Sequence, residues 1–279
     1  MNFAAEYLAQ LDAFAALGPL PRVKTIHLPP QPEDNPDNKG EFCAIELEDG
    51  AIGLSYVLLD DTLARLRASL PDLGLAGADP LTLAREYATG SGMRKTLGFA
   101  AANALTRCLF DRAGFVPENS RDSIGQIDPR PGEEIGMIGL FKPLLGRIVD
   151  SGARLTVVEL NPELAGARDG YTVTLDAGTL SACSKVVSTS TLLINDTLDR
   201  MLEHCRNAHW FAMVGPSAGC LPDALFRRGV TLLGGSWIED AAAFSAALRQ
   251  GESTSGAARK FVLTPDRYPG FEALKARLR

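Results

Sequence analysis

Residues 135–144 read Ile-Gly-Met-Ile-Gly-Leu-Phe-Lys-Pro-Leu, an apolar run that breaks at Gly139 and resumes just before Pro143. Continuous apolar residues over 135–139 suit a strand buried on both faces. Gly139 permits a tight turn, and Pro143 suits the first turn of a following helix. The same order of strand, break and helix recurs at 155–159 (Leu-Thr-Val-Val-Glu), 185–189, 210–214 and 230–233. Short strands alternating with helical segments predict a parallel sheet covered by helices. The back half of the chain therefore reads as a Rossmann-like parallel-sheet domain.

The front half follows another grammar. Phe3, Tyr7, Leu11, Phe14 and Leu17 recur at helical spacing over 3–17. Two strands, 41–48 and 51–58, are joined by Asp49-Gly50, a strong hairpin signal. Helices follow at 60–69, 80–89 and 93–112, the last apolar on nearly all sides and hence expected to be buried. Strands first and helices afterwards make an α+β unit. A polar, proline-rich loop fills 29–40, and 116–134, with Pro117, Pro129 and Pro131, reads as a linker. The 279 residues thus divide into an α+β domain over 1–125 and a Rossmann-like domain over 126–279, an α/β chain overall.

The charge of −6 is uneven: 11 Lys/Arg against 17 Asp/Glu in 1–125, and 17 of each in 126–279. Neither half carries the basic footprint of a nucleic-acid or anionic-membrane binder. No apolar run approaches the ~18 residues of a spanning helix, and Met-Asn-Phe-Ala-Ala-Glu does not resemble a signal peptide. Five cysteines, an odd number, argue against a disulfide framework. A cytoplasmic location is the expectation, with a homodimer the default oligomer.

Ligands of open α/β sheets sit beyond the carboxyl ends of the strands, so four strand exits are candidate sites. The first holds Gly139 and Phe141; its GxxG spacing lacks the third glycine of a dinucleotide fingerprint. The second ends in Glu159, twenty residues after Gly139, where a carboxylate can accept from a ribose or cap a neighbouring backbone. The third, Ser188-Thr-Ser-Thr-Leu-Leu-Ile-Asn-Asp-Thr197, offers hydroxyls and an amide, including Thr191 and Asn195. The fourth, Gly215-Pro-Ser-Ala-Gly-Cys-Leu-Pro222, is small enough to let a ligand approach its backbone. On the helix at 93–112, Asn103 lies amid alanines, where it either meets a ligand or the second domain or bonds nearby backbone. Arg94 and Lys95 sit badly with the dipole at that helix's start, and suit an anionic ligand or a salt bridge.

His27, His204, His209 and the cysteines 43, 108, 183, 205 and 220 are scattered, with no CxxC, HxxxH or HExxH, so spacing shows no closed zinc site. Oxygen ligation by Glu159, Asp196 or Asp240 would favour a harder cation. No Walker A motif, GxSxG elbow or evident Ser/His/Asp set occurs.

The stretches 93–105, 136–144, 188–198 and 215–235 together resemble the heavy-metal chelation family DUF364, whose N-terminal part is the DUF4213 domain. The residues that carry the likeness are Gly139-Leu-Phe-Lys-Pro-Leu144, Asn195-Asp-Thr-Leu198, Gly215-Pro-Ser-Ala and Phe226-Arg-Arg-Gly229-Val230. The resemblance implies an enolase N-terminal-like α+β domain packed on a Rossmann-like domain with a cleft between them. It also implies a role with a metal chelate, and brings no catalytic residues with it. Arg94, Asn103, Gly139, Phe141, Glu159, Thr191, Asn195, Gly215 and Ser217 are the positions it places in or around the cleft. Three functions follow as expectations: binding a metal chelate or its small-molecule precursor, catalysis with a nucleotide or S-adenosylmethionine-like cofactor at the Gly139/Glu159 edge, and a non-catalytic partner role in metal uptake or cofactor assembly.

Overall fold

Helix α1 (Phe3–Ala15) opens the chain, capped by the Asn2 side chain, which accepts from the Ala5 amide at 3.0 Å. Strands β1 (Val23–His27), β2 (Phe42–Leu47) and β3 (Ile52–Tyr56) form a three-stranded antiparallel sheet in that order. Gly50, with φ +87°, turns the β2–β3 hairpin. Helices α2 (Thr62–Ser69), α3 (Pro80–Thr89) and α4 (Met93–Arg112) come next. Asp79 caps α3 ahead of Pro80 by accepting from the Thr82 amide at 3.1 Å. Helix α4 is buried along most of its 20 residues and packs on both α3 and β3. That approach depends on Gly53 of β3, where a Cβ would collide with the Ala104 amide and the Ala100 carbonyl.

The rest of the chain supplies β4 (Glu118–Asn119), β5 (Glu134–Ile138), α5 (Lys142–Asp150), β6 (Arg154–Val158), β7 (Gly166–Arg168) and β8 (Tyr171–Thr174). These are followed by β9 (Lys185–Thr189), α6 (Leu198–His204), β10 (Trp210–Val214), α7 (Asp223–Phe226), β11 (Leu232–Ile238), α8 (Ala241–Gln250), β12 (Ala258–Leu263) and α9 (Phe271–Ala276). All nine strands join one mixed sheet, in the order β4-β12-β11-β10-β9-β5-β6-β8-β7. Six run parallel, β8-β6-β5-β9-β10-β11, which in chain order is 3-2-1-4-5-6. The order reverses between β5 and β9.

This computed structural model describes residues 2–31, 41–120 and 126–278; most of the 29–40 loop and the middle of the 116–134 stretch lie outside them. Three expectations change. The sheet is mostly rather than wholly parallel, because β12, β4 and β7 pair antiparallel at its two edges. The stretch read as a linker contributes β4, which pairs with β12. The Asp169-Gly170 turn makes a hairpin of β7 and β8 that the periodicity did not reveal. No helix among the described residues is long and apolar enough to cross a membrane.

Core residues of α1, α3, α4, β2, α6, α7, β11 and α9 form one continuous apolar cluster, so both halves of the chain share a core.

Candidate functional site

One face of the contact between the halves is sealed by hydrogen bonds. The Asn103 side chain, 2% exposed, donates through Nδ2 to the carbonyls of Leu54 at 2.8 Å and Ser217 at 3.0 Å. Its Oδ1 accepts from the Tyr7 hydroxyl at 3.1 Å. Tyr87 Oη donates to the Leu193 carbonyl at 2.5 Å. Glu6 on α1 receives Arg227 and Arg228, each at 2.6 Å. Those two guanidiniums, Arg228 foremost, hold its carboxyl down at about 2. His27 is buried between Glu46 Oε2 at 2.7 Å and an Arg249 guanidinium at 2.9 Å from Nδ1. Arginine can only donate, so Nδ1 accepts and Nε2–H faces Glu46.

The other face is open. A 390 Å³ cavity lies outside the carboxyl ends of the parallel strands, where the order reverses between β5 and β9. Ligands of open α/β sheets bind at such switch points. Gly139, Leu140 and Phe141 line it from the β5 exit, Glu159 and Leu160 from β6, and Thr189, Thr191, Asn195 and Thr197 from β9 onward. Glu41, Tyr56 and Leu59 close it from the hairpin side. Gly139 holds φ +82°, the left-handed region that glycine tolerates and that turns the chain from β5 toward α5.

Glu159 is anchored rather than loose: Oε1 accepts from the Leu140 amide at 2.6 Å, and Oε2 from its neighbour Leu160 at 3.1 Å. The carboxylate thus occupies a backbone donor of the β5–α5 turn, the kind of donor that would cradle a phosphate in a dinucleotide fold. Asn195 Oδ1 accepts from the Thr197 amide at 3.2 Å and hydroxyl at 2.6 Å, which leaves Nδ2 without a partner among the described residues. Thr189 and Thr191 share a hydroxyl contact of 3.0 Å. The Tyr56 hydroxyl has no partner among the described residues, and its pKa is raised by burial and then by the Glu41 and Glu159 carboxylates. Among the described residues no Lys, Arg or His lines this cavity.

Two more cavities adjoin it. One of 290 Å³ shares Glu41 with it and lies against α8; one of 220 Å³ shares Phe141 and is walled by Gly215, Pro216, Gly234 and Phe261. Lys260 lines both.

Of the nine expected positions, Gly139, Phe141, Glu159, Thr191 and Asn195 meet at the 390 Å³ cavity, and Gly215 stands at the adjoining 220 Å³ one. A Cβ at Gly215 would strike Ser190 Oγ. Three do not join them. Arg94 is exposed and paired with Glu86 at 2.6 and 2.8 Å, an ion pair that answers its poor place at the start of α4. Asn103 is consumed by its three interior bonds, and Ser217 is buried against Ser190 at 3.0 Å. The acids read as alternative cation ligands do not converge either. Asp196 pairs with Lys95, and Asp240 caps α8 by accepting from the Ala243 amide at 2.9 Å. Among the described residues no three His, Cys, Asp or Glu side chains are grouped to hold a metal ion. All five cysteines are buried and free, and burial pushes the thiols of Cys43, Cys205 and Cys220 up to about 12.

Glu41, Tyr56, Leu59, Thr189 and Lys260 escaped the sequence reading. Thr189 alone had a visible signal, since it ends a strand in the hydroxyl run.

Comparison with known proteins follows this architecture. The family model DUF364, described as "Putative heavy-metal chelation", matches residues 122–264, just over half of the chain. DUF4213, with the same description, matches 40–106. A DUF364-family crystal structure from Desulfitobacterium hafniense superposes with a TM-score of 0.65 at 18% identity, covering 95% of this chain and all of that one. A second, from Pyrococcus horikoshii, gives 0.66 at 17% identity, covering 92% of this chain and 99% of the other. Both are described as proteins with unknown function, and at these identities they speak to the fold alone. An uncharacterized protein of Methanocaldococcus jannaschii is 28% identical over 151 residues, 53% of this chain and 56% of that relative, so the chain spans little more than half the relative's length. With its second half matched almost from end to end and its fold shared over nearly the whole length, this chain belongs to the DUF364 family.

Proposed function

We propose that this protein binds a metal chelate, or the small organic molecule from which one is made, in the crevice between the hairpin sheet and the carboxyl edge of the parallel strands. The observation that carries the reading is the 390 Å³ cavity at the β5/β9 reversal, walled by both halves. Its volume suits a small molecule, and its mixture of apolar walls with a few placed polar groups is the usual composition of such sites. Phe141 supplies a flat wall, Asn195 Nδ2 a free donor, and Glu159, Tyr56 and the threonines acceptors. The antiparallel β1–β3 sheet backed by helices agrees with an enolase N-terminal-like first domain, and the 3-2-1-4-5-6 order agrees with a Rossmann-like second one.

That strand order also favours a second reading, an enzyme with a nucleotide or S-adenosylmethionine-like cofactor, with Glu159 at the end of the second parallel strand. Glu159's hold on the Leu140 amide and the absence of a lining cation weigh against a pyrophosphate there. The test is mass spectrometry of small molecules released when the purified chain is denatured, then calorimetric titration of what is found. Replacing Asn195 by Ala or Glu159 by Gln should weaken binding by about 1–3 kcal/mol. Unchanged affinity in both variants removes the site. Tight binding of a dinucleotide, lost in Glu159→Gln, would favour the second reading.

A further inference from the structure

Six lysines are described, and four of them are answered by a carboxylate: Lys24 by Glu46, Lys95 by Asp196, Lys185 by Glu133 and Lys275 by Glu272. Lys142 stands exposed on the first turn of α5 and lines none of the three cavities above. Lys260 differs from all of these. It lies exposed on β12 opposite Ser236, lines both the 290 and the 220 Å³ cavities, and has no ion pair or side-chain hydrogen bond with a described residue. Among the described residues it is the only ionisable group lining the smaller cavity, set among Phe141, Pro143, Gly215, Pro216 and neighbouring glycines. Glu41 and Glu252 share the larger cavity with it without forming an ion pair to it.

We propose that Lys260 is the carboxylate-binding group of the crevice, and that the ligand is a small amphoteric molecule with an amine at the Glu159 end and a carboxylate against Lys260. The inference rests on the reading that the crevice binds a small molecule. Lys260 is exposed beside these cavities, and an ammonium with no counter-ion among the described residues is free to pair with a carboxylate that enters them. The surrounding protein already withdraws enough water to lower the lysine's pKa, with no nearby charge contributing. A compact ammonium pairs with one carboxylate, whereas the three terminal oxygens of a phosphate call for several donors, a second cation or a fork such as arginine's. The opposite end carries Glu159, which lines neither of the Lys260 cavities, while Glu41 stands between the two ends and lines the 290 Å³ cavity as well. Phe141 is a wall of both the 390 and the 220 Å³ cavities, so a molecule lying along its ring meets the acidic end and the lysine end together.

The experiment uses the full chain, its Lys260→Met and Glu159→Gln variants, and calorimetric titration with iminodiacetate, malonate, ethylenediamine and inorganic phosphate. Iminodiacetate should bind the native chain and lose at least tenfold in affinity in either variant. Malonate should lose affinity in Lys260→Met, ethylenediamine in Glu159→Gln, and phosphate should bind more weakly than malonate. Lys260→Arg should restore part of the malonate binding. Malonate should also slow acetylation of Lys260, read by peptide mass spectrometry, and leave Lys142 unaffected. If Glu159→Gln weakens the amine and Lys260→Met changes nothing, the small-molecule site survives and the carboxylate assignment falls. If the native chain binds no carboxylate probe, or binds phosphate as tightly as malonate, the assignment is likewise overturned. Probes that bind both variants as they bind the native chain remove the assignment and the site reading together.

Discussion

The two faces of the contact between the halves hold polar groups of the same kinds and use them oppositely. On the sealed face, an amide (Asn103), two phenols (Tyr7, Tyr87) and a carboxylate (Glu6) find their partners within the protein. On the open face, the Asn195 Nδ2, the Tyr56 hydroxyl and the Lys260 ammonium are left without one among the described residues, beside cavities of 390, 290 and 220 Å³. Burial of a polar group costs free energy unless it is paired. Groups that are paired hold the fold, and groups held beside space and unpaired are available to something else. Residue type does not separate the two; local pairing does.

The sharpest way to break the comparison is steric. Gly53→Val drives a side chain into the backbone of α4, and should cost more than about 4 kcal/mol, leaving little folded chain in a urea titration. Tolerance of that change would mean that the sealed face is not tightly packed. Next comes Asn103→Leu, which strands two buried carbonyls and should lower stability by about 3 kcal/mol, read from the same unfolding midpoint. A loss under about 1 kcal/mol would show that this amide does not fasten the halves.

The Glu6 clamp gives a smaller effect with a defined sign. Its folded pKa of about 2 lies below the ordinary 4.5, so its stabilisation is present above pH 4.5 and is lost as pH falls toward 2. The pair is partly exposed, so about 1 kcal/mol is expected, and Glu6→Gln should flatten that part of the Tm-against-pH curve. An unchanged slope would separate the clamp from acid stability. On the open face, Tyr56→Phe and Asn195→Ala should each shift stability by less than about 0.5 kcal/mol. A loss of 2 kcal/mol or more would move either residue to the structural side. The smallest effect is expected at the cysteines. Native chain should react negligibly with a thiol reagent and unfolded chain should yield five thiols, since burial raises every one of them. Fast modification of native chain would show that the core opens around these buried thiols.

Local signals carried the helices well: α3 and α4 occupy the expected residues 80–89 and 93–112 because their apolar patterns and boundaries agree. Asp49-Gly50 announced its hairpin, whereas Asp169-Gly170 did not, because β7 is wholly exposed and β8 buries only Val173, which leaves no alternation to flank the turn. Neither β12 nor its direction was legible, since only its second half is buried and a strand's own residues do not say which way its neighbour runs. The strand-exit rule led to Gly139, Phe141, Glu159, Thr191 and Asn195 because all are local to their strands. Glu41 and Tyr56 reach the same cavity through tertiary packing, and nothing in a hairpin's sequence records what lies across from it. Arg94 and Asn103 took the other readings open to them, a salt bridge and bonds to the second domain and to backbone: a polar residue on an apolar helix advertises a need, and Glu86, Leu54, Ser217 and Tyr7 meet it from afar.

Strand β4 is only two residues long, yet it covers the outer side of β12 by pairing Glu118 and Asn119 with Val262 and Phe261. A short strand bearing a carboxylate is a usual guard against edge-to-edge association. Replacing Glu118 and Asn119 by proline in the full chain would unpair β4 and bare backbone amides and carbonyls along an apolar strand while leaving the shared core in place. Such a variant should self-associate through β12, whereas the native chain should not do so by that edge under the same conditions. The few residues between the halves thus serve less as a tether than as a selvedge, finishing the sheet so that it does not knit to another copy.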